Sequence, residues 1–178
     1  MANNNTLGDT LRRHGVSRRG FLKFCTATAS LMALPPTMVP SIAAALEKAR
    51  RPSVIWLSFQ ECTGCTESLT RSHSPSVESL IFDHISLDYH HTLQAAAGDA
   101  AEAAREAAMH ENKGNYILVV DGSIPLGDPG YSTIAGISNL QMLEETAADA
   151  AAIVAVGTCA AFGGLPQANP NPTGAVAV

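Results

Sequence analysis

Aromatic residues are scarce in this chain: one Trp, three Tyr and five Phe make up 5% of 178 residues. A core must therefore be built mostly from Ala, Val, Ile and Leu. Four cysteines are too few for the disulfide-dense scaffold of a small secreted domain. Positive charge is in deficit, with a formal net charge of −5, and nucleic acid is not expected as a main partner. Charged residues reach only 15% against 46% hydrophobic, which excludes a disordered chain. No Gly-rich loop of the phosphate-cradling kind follows the first apolar run of the body. Long apolar runs free of proline are also missing. The uncharged stretch from Phe24 to Leu46 contains Pro35, Pro36 and Pro40, which makes it a poor continuous membrane helix.

What is present is unevenly spread. Residues 1–45 carry five basic groups (Arg12, Arg13, Arg18, Arg19 and Lys23) and a single acid, Asp9. Residues 46–178 carry six basic and fifteen acidic groups. A basic head on an acidic body calls for two readings. Ser17 to Lys23 reads S-R-R-G-F-L-K, the uncharged stretch follows, and Ala43-Ala44-Ala45 closes it in an A-x-A pattern. That order of regions makes residues 1–45 a signal peptide, and the paired arginines before Phe-Leu-Lys resemble the twin-arginine export signal. The competing readings are a membrane anchor or an ordinary amphipathic helix. The twin-arginine route exports folded proteins, often with a cofactor installed, so a metal or redox group is expected in the body. Cys25 lies in the leader and is set aside.

Residues 46–178 alternate between apolar β-branched runs and helical stretches. Strands are expected at Ser53–Ser58, Ser79–Asp88, Tyr116–Val120 and Ala152–Val156. Helices are expected near Thr66 to Arg71, over the Ala-rich Leu93 to His110, stopped by Lys113-Gly114-Asn115, and over Ser138 to Ala148. Ser123 to Tyr131 reads as loop. This pattern implies an α/β fold, a parallel sheet with helices on both faces. In such sheets functional groups collect beyond the carboxyl ends of the strands. Cys62 and Cys65 follow the first strand and Cys159 the fourth, so the three thiols are candidates to meet there. Gly174 to Val178 begins something apolar and stops, which suggests a fragment of a longer polypeptide.

Glu61-Cys62-Thr63-Gly64-Cys65 is a C-x-x-C on a loop, with Gly64 expected to ease the turn. Zinc, a thiol–disulfide pair and an iron–sulfur cluster all share this motif. Zinc would usually need a second C-x-x-C or a His pair, and His90-His91 lacks that spacing. Cys159, expected on a flexible Gly-flanked loop, is either a further ligand or a small buried hydrophobe. His73, His84, His90, His91 and His110 show no metal spacing and read as surface or satisfied helix histidines. Trp56 reads as core.

E-C-T-G-C-T-E-S-L, D-G-S-I-P, G-T-C-A-A-F-G-G and N-P-T-G-A occur in this order behind the leader. Together they resemble the small, electron-transferring subunit of periplasmic or membrane-associated nickel–iron uptake hydrogenases, over the whole chain. The resemblance implies a flavodoxin-like domain over residues 46–178, truncated here. It implies that Cys62, Cys65 and Cys159 bind iron as ligands of a proximal [4Fe–4S] cluster, whose fourth ligand lies beyond Val178. Medial and distal clusters would lie further on. It implies a large-subunit partner carrying the nickel–iron centre, a downstream acceptor such as a cytochrome, the twin-arginine export machinery and a periplasmic location. Enzyme activity would then be that of a dihydrogen:acceptor oxidoreductase to which this chain contributes electron transfer. Glu61 takes the position proposed in that family for a proton path, against the plainer reading of a solvated carboxylate. The oxygen-tolerant members have extra cysteines where this chain has Gly64 and Gly164, so a standard cluster and ordinary oxygen sensitivity are implied. Two alternatives come from other classes: an exported thiol–disulfide oxidoreductase using Cys62 and Cys65, and a flavodoxin-like binding domain with structural cysteines.

Overall fold

The structure, a computed structural model, describes residues 6–8, 11 and 15–178. Asp9, Arg12 and Arg13, counted in the charge balance of residues 1–45, lie outside the described residues. The chain divides into two compact units, Met1–Arg51 and Pro52–Val178.

The first unit holds helices α1 (Arg18–Leu31) and α2 (Val39–Lys48), separated by a 3-10 turn at Pro36–Met38. Ser17 caps α1, its hydroxyl accepting from the Gly20 N–H at 3.1 Å. Pro35 and Pro36 keep the chain from continuing as one helix, whereas Pro40 falls in the first turn of α2, where a missing N–H costs nothing. Phe21, Cys25 and Ala43 form a small buried cluster. Ala43-Ala44-Ala45 lies inside α2. Among the described residues no helix is long and apolar enough to cross a membrane.

The second unit runs β1 (Ser53–Ser58), α3 (Gly64–Thr70), β2 (Ser86–His90), α4 (Asp99–Glu111), β3 (Tyr116–Asp121) and β4 (Ile124–Pro125). It continues through β5 (Thr133–Ile134), β6 (Ile137–Ser138), α5 (Asn139–Ala147), β7 (Ala152–Val156), α6 (Gly157–Phe162), α7 (Gly164–Gln167) and β8 (Ala175–Val176). Four strands make one parallel sheet in the order β2-β1-β3-β7. Two short antiparallel pairs, β4 with β8 and β5 with β6, flank it. The register sets Ile55 beside Leu118 and Leu57 beside Val120. These four are fully buried on one face, with Ala101 and Ala108 of α4 and Met142 of α5. Alternate residues Val54, Trp56 and Val119 face the other way, against Leu69 of α3 and Ile85. Period-two alternation thus feeds two apolar layers, each buried Leu or Ile contributing about 1.5–3 kcal/mol. Helices on both faces of a parallel sheet are what the alternation of elements implied.

Local differences from the sequence reading have local causes. The expected strand at Ser79–Asp88 is instead one helical turn, Val77–Ser79, a π turn, Leu80–His84, and then β2. Ser76 caps the turn through its hydroxyl, accepting from the Ser79 N–H, so these backbone groups are spent on a helix rather than a ladder. Helix α4 starts at Asp99 rather than Leu93, because Gly98 ahead of it adopts a left-handed φ of 59°. The expected loop after Ser123 contains β4, and the apolar stretch from Gly174 contains β8.

Candidate functional site

The carboxyl ends of β1, β3 and β7 lie side by side, and the C-x-x-C loop leaves the first of them. Phe59 N–H donates to the Asp121 carbonyl at 2.9 Å, holding the two chain ends together. Thr63 then adopts a left-handed φ of 65°, and α3 begins at Gly64. The turn expected to use Gly64 as its left-handed residue therefore uses Thr63. A β-branched residue there stores about 1–3 kcal/mol of strain. Gly64 matters for another reason: a Cβ on it would stand 3.1 Å from the Cys62 sulfur.

Cys65 lies in the first turn of α3 and reaches across to β7, its thiol donating to the Val156 carbonyl at 3.7 Å. The next residue, Gly157, has φ +78°, and a Cβ on it would fall 2.3 Å from the Cys65 sulfur. Cys159 is not on a flexible loop: it sits within α6, bracketed by Gly157 and Gly163, both left-handed. A Cβ on Gly164 would lie 2.7 Å from the Cys159 sulfur. Cys62 is exposed; Cys65 and Cys159 are half-buried.

Electrostatic coupling links Cys65 to the other two thiols. The Cys65 thiol is pushed above its ordinary value, first by burial, then by electrostatic coupling to Asp121, Cys159, Cys62 and Glu61. Glu61 is pushed up by burial and then by Asp121, while the Thr63 hydroxyl, donating to Oε1 at 3.3 Å, opposes the shift. Asp121 is fully buried; its Oδ2 accepts from the Thr66 hydroxyl at 3.5 Å. Its Oδ1 and the Glu61 Oε2 are buried and accept no hydrogen bond from the described residues. Anionic and thiol groups crowded into a half-buried region call for a compensating cationic group.

Soft thiolates with glycines at the sulfur atoms suit an iron–sulfur group in donor chemistry and in space. Among the described residues no three His, Cys, Asp or Glu side chains are gathered closely enough for a single metal ion. A multi-iron cluster spreads its thiolates more widely than one ion does.

His73, His84 and His110 are exposed, as surface histidines should be. His90 and His91 are not on a helix: His90 ends β2 and His91 follows it in a turn. His90 is 1% exposed and stacks on Trp56 with ring centroids 5.0 Å apart. The sequence reading singled out neither Asp121, Gln60 nor Thr173. For Asp121 the signal was available: an acid closes an otherwise apolar central strand, Y-I-L-V-V-D, at the end where sites form.

The architecture is a parallel α/β sheet with Cys62 and Cys65 beyond the end of β1 and Cys159 beyond the end of β7. A family model described as "NADH ubiquinone oxidoreductase, 20 Kd subunit" matches residues 62–178, beginning at Cys62 itself, and the chain belongs to that family. The "Periplasmic [NiFe] hydrogenase small subunit 1" of Nitratidesulfovibrio vulgaris is 51% identical over 168 residues, 94% of this chain and 53% of that protein. The "Hydrogenase-2 small chain" of Escherichia coli K12 is 46% identical over 179 residues, 100% of this chain and 47% of that one. A chain of the [NiFeSe] hydrogenase from Desulfovibrio vulgaris Hildenborough superposes with a TM-score of 0.69 at 39% identity, covering 73% of this chain and 48% of its own length. Within the family, this chain belongs with the small subunits of [NiFe] hydrogenases. It spans about half the length of the relatives it matches.

Proposed function

We propose that this chain conducts electrons away from a nickel–iron centre in a hydrogenase large subunit, and that Cys62, Cys65 and Cys159 ligate a proximal [4Fe–4S] cluster, with a fourth ligand from outside residues 1–178. The observation that carries this reading is the coupling of three thiols from two distant chain segments at one sheet end. Such a cluster, when bound, supplies one-electron chemistry at a potential set by burial, charge and hydrogen bonds to sulfur. The protein's own residues present the thiols, through the strained turn at Thr63 and the bare backbone at Gly64, Gly157 and Gly164. Buried Asp121 lies within electrostatic reach of Cys65. Glu61, half-buried with one unpaired oxygen, holds a proton more readily than an exposed carboxylate and suits a relay toward the partner.

The partner docks where the thiols open to the surface, beside Phe162 and Leu165, which are 76% and 85% exposed. With glycine at 64 and 164, the assembled enzyme is oxygen-sensitive in the ordinary way. The leader with Arg18-Arg19 directs twin-arginine export to the periplasm, where a cytochrome or similar carrier accepts the electrons. A thiol–disulfide oxidoreductase is less well served, because that chemistry needs a depressed thiol and Cys65 is raised.

The test is iron and acid-labile sulfide content, with an electron paramagnetic resonance spectrum, on anaerobically purified protein and on Cys62→Ser, Cys65→Ser and Cys159→Ser variants. We expect cluster content of up to about four irons per chain that falls in all three. Absence of iron together with a reversible Cys62–Cys65 disulfide overturns the proposal.

A further inference from the structure

Gln60 stands two residues before Cys62, at a place where three chain segments meet. Its backbone N–H donates to the Ser123 carbonyl at 3.2 Å, and the Ser123 N–H returns the bond at 2.9 Å. This close pairing needs Gly122: at φ +88°, a Cβ there would stand 2.8 Å from the Gln60 nitrogen. The side chain reaches further than the backbone. Its Oε1 accepts from the Ser123 hydroxyl at 3.4 Å and from the Thr173 hydroxyl at 3.3 Å. Thr173 belongs to the N-P-T-G-A stretch, which the function proposed above leaves without a role.

That stretch is itself rigid. The Asn171 carboxamide brackets Ala175, accepting from its N–H at 2.7 Å and donating to its carbonyl at 3.1 Å. Gly127 N–H donates to the Thr173 carbonyl at 2.9 Å, and a Cβ on Gly127 would fall 2.9 Å from that oxygen. Thr173 therefore offers a fixed donor, on the segment that follows Cys159.

We propose that Gln60 is a positioning residue for the thiol site: its carboxamide oxygen, bridging the Ser123 and Thr173 hydroxyls, sets the Cys62 loop relative to the segment that follows Cys159 and returns to its helix through the Val178 N–H, which donates to the Ala160 carbonyl at 2.9 Å. The proposal rests on the three-thiol reading above. Substituting the side chain leaves the backbone pairing with Ser123 available, so the loss is one of alignment more than of fold. Glu at this position keeps an acceptor oxygen; Leu does not.

The measurement is the rate at which a short bis-maleimide cross-links Cys62 to Cys159 in the reduced full chain, followed by peptide mass spectrometry. Single alkylation of Cys62 and the melting curve are recorded alongside. Gln60→Leu and Thr173→Val are expected to slow the cross-link about fivefold, the equivalent of one net hydrogen bond, with Cys62 alkylation unchanged. Gln60→Glu is expected to restore it. Thr173→Val decides the matter should Gln60→Leu fail to fold. Cross-linking at the unaltered rate in these variants overturns the positioning role. Failure of the unsubstituted chain to cross-link at all overturns the convergence of thiols itself, and with it the cluster reading.

Discussion

Asp121 combines complete burial, a carboxylate oxygen without a partner among the described residues, and a charge felt by Glu61 and Cys65. Burial is the larger cause of the raised Cys65 thiol, and the field of Asp121 comes second. Asp121→Asn removes that field and keeps the shape, so the Cys65 value should move down toward the ordinary 9.0. Iodoacetamide modification of Cys65 at pH 8 should accelerate several-fold, and its pH profile should shift to lower pH. An unchanged or slower rate would mean that the charge does not reach the thiol. C-x-x-C could be read from the sequence because both cysteines lie within one turn of chain. The left-handed Thr63 could not, because nothing in a threonine signals a positive φ.

Short elements carry the site, and each has a glycine where another chain passes. Gly157 begins α6 against the Cys65 sulfur, so Gly157→Ala meets both a left-handed φ and a contact of 2.3 Å. It should cost about 1–3 kcal/mol in chemical denaturation and displace Cys65 from Val156, lowering iron content in the assay above. Strand β2 holds a different kind of constraint. His90 Nδ1 accepts the N–H groups of Thr92 and Leu93 at 3.0 and 3.3 Å, while burial lowers its pKa from 6.5 to about 4, with His91 adding to the shift. The unfolded chain thus takes up a proton below pH 6.5 that the folded chain refuses. The contribution of His90 to stability is fully present above pH 6.5 and is lost on acidification toward pH 4, by up to about 1.4 kcal/mol per pH unit. His90→Asn keeps an acceptor near Nδ1 and cannot ionise. Its melting temperature should fall less than that of the unsubstituted chain between pH 7 and pH 5; equal slopes would exclude His90 as the source. The Ser79–Asp88 stretch shows how element boundaries escape a propensity reading. Its apolar residues suit a strand, yet Ser76 offers a cap and the parallel register with β1 starts only at Ser86.

Taken whole, the sheet is unevenly finished. β1 is buried along its length, and the opposite edge strand β2 carries Asp88 and His90 and is largely covered. β7, A-I-V-A-V, is apolar on both faces yet exposed, with Ile153 at 49% and Val154 at 44%, and it pairs only with β3 among the described strands. An apolar edge of this kind invites pairing with other chains. Sedimentation of this chain should show concentration-dependent self-association, and Ile153→Lys should reduce it; identical behaviour of the two would place the contact elsewhere. The sequence by itself determined three of the four sheet strands, the parallel α/β class, the C-x-x-C and the charge break between residues 1–45 and 46–178, because these depend on residues within a few positions of one another. Only the tertiary structure decided that Cys65 lies against Val156 and Gly157, that buried Asp121 lies within electrostatic reach of Cys65, and that Gln60 reaches Thr173. Those meetings are made by crossover connections of a parallel sheet that bring strand ends together across tens of residues, and local sequence carries no record of which ends will be neighbours.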